Sequence, residues 1–455
     1  MKEEVVVIED FLYQKSTLKF TKNQTKFERG EVNMKSLKVL FSLIMVAAFL
    51  VSCAPAAAPA EQAAPAEQAA PAEQAAPSAS GAPEVCATDA KGCAKIEPGQ
   101  TVKIGMGAPM TGGDASFGID ISQGAKIAVQ DAGEFEGFSF ELLAEDDGGT
   151  PEGGAAVANK FVADPTVVAI AGHIFSGATA SAMPIYEDAG LPMLSPSATN
   201  PALTEKGSTV FNRIPFTDAM QGKFAAEYIY NVLGKRTIAV LHDGQDYGKG
   251  LAEIVQKTFT DLGGQVVAFE GITSKEADYS PVLTTIAAKS PEVLYFGGYT
   301  QDAAVLANQM KSTGLENAIF FGCDGTYGED FLTRTGPNGE GAYAATPRTP
   351  PASPEKDAFD SAYLAAFGKK PGELSPFTWN GYDVTAALIQ SVKSVAVKGS
   401  DGALYVPRTA LVSAVRHLTD YKGIGGTYSC NDIGECNTEG PQFQVVKDGA
   451  WVPLD

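Results

Sequence analysis

Residues 102–144 read VKIGMGAPMTGGDASFGIDISQGAKIAVQDAGEFEGFSFELLA, and this stretch decides the fold. Val102 to Met106 is a short strand-like run, Ile119 to Ala132 takes up the helical period with Ile121, Ala125, Ala128 and Val129 on one face, and Phe138 to Ala144 returns to strand character. Strand, helix, strand in that order forms a parallel pair with a crossover helix. The alternation continues downstream: strand-like runs at Val167 to Ile170, Thr237 to Leu241, Val266 to Phe269, Val293 to Phe296 and Ile319 to Gly322 alternate with helix-like stretches. Those helices are expected at Glu152 to Ala163, Gly177 to Ala189, Ala219 to Leu233, Gly248 to Leu262, Pro281 to Lys289 and Asp302 to Thr313. The repetition implies α/β architecture with parallel sheets covered on both faces, and the length from Ile96 to Asp455 suggests two domains rather than one core.

In such sheets ligands sit beyond the carboxyl ends of the strands, on the loops that enter helices. Gly105 to Met110 imitates a dinucleotide fingerprint there, but the third glycine is missing and Pro109 intrudes. Gly244 to Gly250 holds Gly248-Lys249 without the spacing or hydroxyl residue of a phosphate loop, and no G-x-S-x-G elbow occurs. No cofactor is expected.

Near the start, Met34-Lys35-Ser36-Leu37-Lys38 precedes the apolar run Val39 to Val51 and then Ser52-Cys53, the pattern of a secretory signal. The run is shorter than the roughly 20 residues that span a bilayer. Leu50-Val51-Ser52-Cys53 resembles a bacterial lipobox, which makes Cys53 the expected lipidation site and the lipid the only membrane attachment. Residues 1–33 are read as a start-site extension and 34–52 as the signal peptide. Ala54 to Pro83 is almost all Ala, Pro, Glu and Gln, with Pro-Ala-Glu-Gln-Ala-Ala repeated from Pro59, Pro65 and Pro71. With no large apolar side chain to bury, it cannot offset the entropy of ordering, so residues 53–95 are read as lipidated cysteine and tether.

The formal net charge is −20, and the first 52 residues carry eight basic and six acidic groups, so the processed chain is near −22. Such acidity argues against nucleic acid or anionic lipid as a partner. Beyond Cys53, the cysteines fall into two local pairs, Cys86 with Cys93 and Cys430 with Cys436, with Cys323 left over. In an extracytoplasmic chain these read as small disulfide loops. Neither pair has the spacing of a zinc knuckle and the chain has only three His, so no metal site is expected.

Several segments resemble the leucine/isoleucine/valine-binding protein family, the type I periplasmic solute-binding receptors of branched-chain amino acid ABC importers. They are Ala171 to Ser176, Pro184 to Asp188, Ser195-Pro196-Ser197-Ala198-Thr199-Asn200-Pro201, His242-Asp243 with Tyr247 to Gly250, and Gly297-Gly298-Tyr299. The resemblance implies two three-layer α/β/α lobes joined by three crossovers near Phe216, Thr346 and Cys436. Residues 100–216 with 347–436 would form the first lobe, and 217–346 with 437–455 the second. It further implies that Ser176 and Thr199 hold a ligand carboxylate and that the Ser197-Ala198 loop offers the Ser197 carbonyl to an ammonium group. Asp324 would face that ammonium, Tyr247 and Tyr299 would close over the ligand, and Phe117 and Phe377 would wall its side-chain pocket. Trp379 is near enough in sequence to line the same pocket. Ser176 also opens a predicted helix, whose free N–H groups favour an anion. A family disulfide would need cysteines near Gly149 and at Phe175; both are absent, and Phe175 puts a bulky ring beside Ser176.

The function this implies is capture of a small amino acid, branched-chain first, for delivery to the permease subunits of an ABC importer. Amides, urea or aromatic acids, and a ligand-sensing role, are the neighbouring alternatives. A hydrolase would need Ser176, His242 and Asp324 to assemble as nucleophile, base and acid, and the missing elbow argues against it. His173 and His242 are read as structural.

Overall fold

The computed structural model describes residues 81–454 except Thr438; the signal, Cys53 and most of the tether lie outside the described residues. Two sheets organise them. The first runs Glu134–Phe135, Phe138–Asp146, Val102–Ala108, Val167–Ile170, Met193–Ser195, Phe211–Arg213. The second runs Ala450–Pro453, Gln442–Lys447, Tyr343–Thr346, Ile319–Phe321, Val293–Gly297, Thr237–His242, Gln265–Gly271.

Their centres are parallel, as the alternation of strands and helices predicts, but one edge of each is antiparallel. Glu134–Phe135 turns back on Phe138, and Gln442–Lys447 runs antiparallel to both of its neighbours. The cause is local. Glu136-Gly137 and Asp448-Gly449 each place two successive residues at positive φ, the two-residue loop whose twist suits a hairpin.

Burial follows the pattern of the sequence. Val167–Ile170 is buried along its whole length, as an interior strand covered on both faces must be. Helix Asp246–Asp261 buries Tyr247, Leu251, Ala252, Val255 and Phe259 on one stripe, while Lys249 and Lys257 lie off it and pair with Glu253 and Asp261 one turn on. Phe259 is fully buried against the second sheet's core, where truncation to alanine would cost about 3–5 kcal/mol. The N-terminus of this helix approaches the end of strand Val293–Gly297 so closely that a Cβ on Gly248 would lie 2.4 Å from the Gly297 carbonyl oxygen. That approach fixes Tyr247 and Tyr299 relative to each other.

The chain passes from the first sheet toward the second between Arg213 and Asp218, returns between Thr346 and Pro354, and crosses again between Cys436 and Gln442. The expected tether ends earlier than residue 95: Glu84–Thr88 is helical, and Cys93–Ile96 pairs antiparallel with Leu404–Pro407. The disulfides are Cys86–Cys93 and Cys430–Cys436, and Cys323 is free and buried, as the spacing predicts. Three short strands, Met193–Ser195, Phe211–Arg213 and Tyr343–Thr346, and the helices Pro354–Phe367, Thr378–Val395 and Arg408–Arg416 complete the lobes. None of the described helices is long and apolar enough to cross a membrane.

Candidate ligand-binding cleft

Strand ends aim loops into the space between the lobes, and the residue preceding a helix is repeatedly the one that reaches it. Phe175, Tyr299 and Phe377 stand immediately before helices Ser176–Ala189, Thr300–Met310 and Thr378–Val395. All three line a cavity with about 250 Å³ of unfilled space, part of it open to solvent. From the first lobe this cavity also receives Phe117, Ile174, Ser176 and Ser197; from the second, Tyr247, Asp324 and Gly325. Of the residues expected at the site, seven therefore meet here: Phe117, Ser176, Ser197, Tyr247, Tyr299, Asp324 and Phe377.

Ala198 and Thr199 stand behind this wall and serve it indirectly. Ala198 N–H donates to Ser195 Oγ at 3.0 Å, and the Thr199 carbonyl accepts from Asp218 N–H at 3.0 Å. Fully buried Arg213 braces the same loop, donating to the carbonyls of Ala198 at 3.2 Å and Asn200 at 2.7 Å and to Glu435 at 2.8 Å. Ser197 Oγ donates to the Ile174 carbonyl at 2.8 Å, tying the loop to the segment that leads into helix Ser176–Ala189.

The lobes are in contact across the cleft. Phe175 of the first lobe stacks on Tyr299 of the second, with ring centroids 3.9 Å apart and 15° between planes. Asn200 Nδ2 donates to the Asp246 carbonyl at 2.6 Å, and Gln301 N–H to Asp114 Oδ1 at 3.1 Å. The Phe175–Tyr299 stack is also a partition: both rings line a second cavity on its far side, together with Asp114, Gln245 and Lys275.

Asp324 is 2% exposed. Its Oδ1 accepts from the Tyr247 hydroxyl, its backbone N–H donates to Gln221 Oε1 at 2.9 Å, and its Oδ2 has no partner. Burial pushes this carboxyl above its ordinary value, against the opposing pull of Tyr247 and Gln221. The Tyr247 and Tyr299 phenols are pushed well up by burial and then by nearby carboxylates, so both remain hydroxyl donors.

The structure adds residues that the sequence reading did not select. Asp218 is fully buried and its Oδ2 also lacks a partner; Gln221 Nε2 donates to its Oδ1 at 3.2 Å. In the sequence Thr217-Asp218 looks like an ordinary helix start, which it also is, since Thr217 caps the helix by accepting from Met220 N–H. Trp379 is the reverse case. It donates to Asp360 Oδ1 at 2.9 Å and lines a different cavity, among the segments that join the lobes, because its position on the helix turns the indole away from the cleft. His173 is buried between Asp147 at 2.7 Å and Tyr186 at 2.9 Å, and His242 Nδ1 accepts from Gly244 N–H at 3.0 Å. Neither histidine lines the cavity beside Ser176. Among the described residues no group of three or more His, Cys, Asp and Glu is placed to hold a metal ion.

The profile of the periplasmic binding protein family matches residues 101–450. An amino acid binding protein of Pseudomonas aeruginosa is 38% identical over 238 residues, which cover 52% of this chain and 63% of that relative, less than two thirds of its length. Leu/Ile/Val-binding protein homolog 1 of Brucella abortus is 32% identical over 352 residues, covering 77% of this chain and 91% of the relative. Among solved structures, the leucine binding protein LivK of Thermotoga maritima superposes with a TM-score of 0.71 at 27% identity, covering 78% of this chain and 98% of that one. With two α/β lobes closing on a cavity walled from both sides, the chain belongs to the periplasmic binding protein family, within its Leu/Ile/Val-binding group of type I folds.

Proposed function

We propose that this protein captures a small amino acid, branched-chain aliphatic first, outside the cytoplasm and delivers it to the permease subunits of an ABC importer, tethered to the membrane through acylated Cys53. The observation that carries the reading is the polarity of the cavity. At one end the N-terminus of helix Ser176–Ala189, free of any side-chain cap, presents Ser176 and unpaired N–H groups suited to a carboxylate. From the other lobe Asp324 offers an unpartnered carboxylate oxygen suited to an ammonium. Between them Phe117, Phe175, Tyr299 and Phe377 leave an apolar space for a side chain.

Charge-assisted hydrogen bonds contribute about 1.5–3 kcal/mol each, so the two ends of a zwitterion supply most of the affinity. Closure then withdraws both ends from water. The names of the relatives support the choice: they bind an amino acid, Leu/Ile/Val and leucine respectively. Hydrolysis finds no support in the geometry, because no histidine stands beside Ser176. A thermal-shift screen of the proteinogenic amino acids, urea, short amides and aromatic acids tests the reading. Leucine, isoleucine or valine should raise the melting temperature most. A rise with urea, an amide or an organic acid, and none with any amino acid, would overturn it.

A further inference from the structure

Asp324 does not stand alone. Asp218, at the start of helix Asp218–Glu227, is buried behind it, and Gln221 on the same helix bridges the two: its Nε2 donates to Asp218 Oδ1 at 3.2 Å while its Oε1 accepts from Asp324 N–H at 2.9 Å. Each carboxylate has one buried oxygen without a partner, and so does the hydroxyl of fully buried Tyr295 nearby. Two buried carboxylates with two unsatisfied oxygens, and among the described residues no cation bonded to either, form an arrangement that favours uptake of positive charge.

The groups that face the pair are few. Tyr247 donates to Asp324, Cys323 precedes it, and Tyr295 approaches from the neighbouring strand; none of these carries positive charge. Arg213 and the Thr199 hydroxyl are near enough to Asp218 to lower its pKa; the two terminal nitrogens of Arg213 are committed to Ala198, Asn200, Thr204 and Glu435, and its Nε is buried without a partner. Asp218 donates its own N–H to the Thr199 carbonyl, on the loop that also carries Ser197.

We infer that Asp218 and Asp324 share one proton in the unliganded cleft, and that an amino acid's ammonium group, docking on Asp324, expels that proton to solvent. This rests on the amino-acid reading above. Asp218 does not line the cavity, so it acts as a positioning residue that sets the charge of Asp324 from behind. The direction of the pKa shifts agrees: burial pushes both carboxyls up, and the charge of Asp324 pushes Asp218 further. The ligand brings one positive charge to a site that held one proton, so the net charge of the site, ammonium included, is the same before and after. Binding therefore strengthens as pH rises, until the pair is ionised without the ligand.

The test is calorimetry of L-leucine binding in buffers of low and high ionisation enthalpy. At about pH 6 the dependence of the observed heat on the buffer should report release of about one proton per leucine, diminishing as pH rises and the unliganded pair ionises, while affinity weakens by up to about tenfold per pH unit on the acid side. Asp218→Asn should diminish the release and flatten the pH profile. Asp261→Asn, which alters an exposed carboxylate at the far end of helix Asp246–Asp261, should leave it intact. Leucine binding with no proton release in the wild-type protein, or with undiminished release in Asp218→Asn, overturns the inference. The wild-type measurement decides even if that variant does not fold. Failure of every amino acid to bind would instead remove the functional reading, and this inference with it.

Discussion

Replacing Asp324 with alanine removes the one carboxylate that lines the cavity. Its Oδ2 is buried without a partner, so a ligand ammonium placed there would make its charged contact away from water. Truncation leaves that ammonium enclosed and uncompensated, which costs about 3–5 kcal/mol, or roughly 100- to several-thousandfold in affinity. Asp218 moderates this loss little, because it stands behind the wall. The unliganded protein should fold and melt close to wild type, for two opposing reasons. The variant loses a buried charge whose desolvation opposes folding, and it orphans the Tyr247 hydroxyl, worth about 1–3 kcal/mol. Asp324→Asn keeps shape and an acceptor, so it should bind more weakly than wild type and better than the alanine variant. Calorimetry with the best ligand of the thermal-shift screen makes the comparison. If Asp324→Ala binds within about threefold of wild type, less than about 1 kcal/mol, the carboxylate does not hold an amine and the ligand is an amide, urea or an organic acid.

The cross-lobe stack makes Phe175 a second target. Phe175→Ala should weaken binding of the best aliphatic ligand by about 2- to 12-fold, the worth of one aromatic pair, and open the far compartment to larger side chains such as phenylalanine. Unchanged affinity together with unchanged exclusion of phenylalanine in competition binding would refute the partition. Closure without ligand should depend on pH. Burial holds Asp114 up at about 6 and Asp243 up at about 7 where the lobes meet, so the closed form binds their protons more tightly than an open, solvated one. Its advantage is full only below the ordinary carboxylate range near about 4 and is lost as pH rises from there through about 7. Small-angle scattering of the unliganded protein should show a smaller radius of gyration at about pH 5 than at about pH 8, and equal radii would count against this account. Cys53→Ala should move the protein from the membrane pellet to the soluble fraction; a mutant still in the pellet would show another attachment.

What the sequence discloses and what it hides divide along a physical line. Val167–Ile170 and the helix ending at Ala163 lie where the residues alone place them, because burial on both faces and amphipathic period are local properties. Met193–Ser195 and Phe211–Arg213 escape notice because three residues carry too little periodicity to stand out from a loop. The edge hairpins were available from Asp448-Gly449, a strong turn signal, yet the rhythm of alternating strands and helices points the reader to a parallel sheet. Asp218 is harder in kind. Its local role as a first-turn acid is complete in itself, and only the bridge from Gln221 to Asp324, 103 residues on, shows a second role.

The side chain of the ligand belongs to the same class. One methylene is worth about 0.8 kcal/mol, and pockets discriminate it by about 10- to 200-fold, so specificity rests on the exact position of a few walls. Phe117 and Phe377 are legible as walls through resemblance, but where the pocket stops depends on Phe175 meeting Tyr299 from the opposite lobe. A sequence shows Phe175 as the neighbour of Ser176 and nothing more. Once the lobes meet, the same ring becomes the end wall of the side-chain pocket and one of the contacts that hold the cleft shut, so a ligand large enough to displace it would also weaken closure. Size selection and closure are on this account one property, and Phe175→Ala should relax both together.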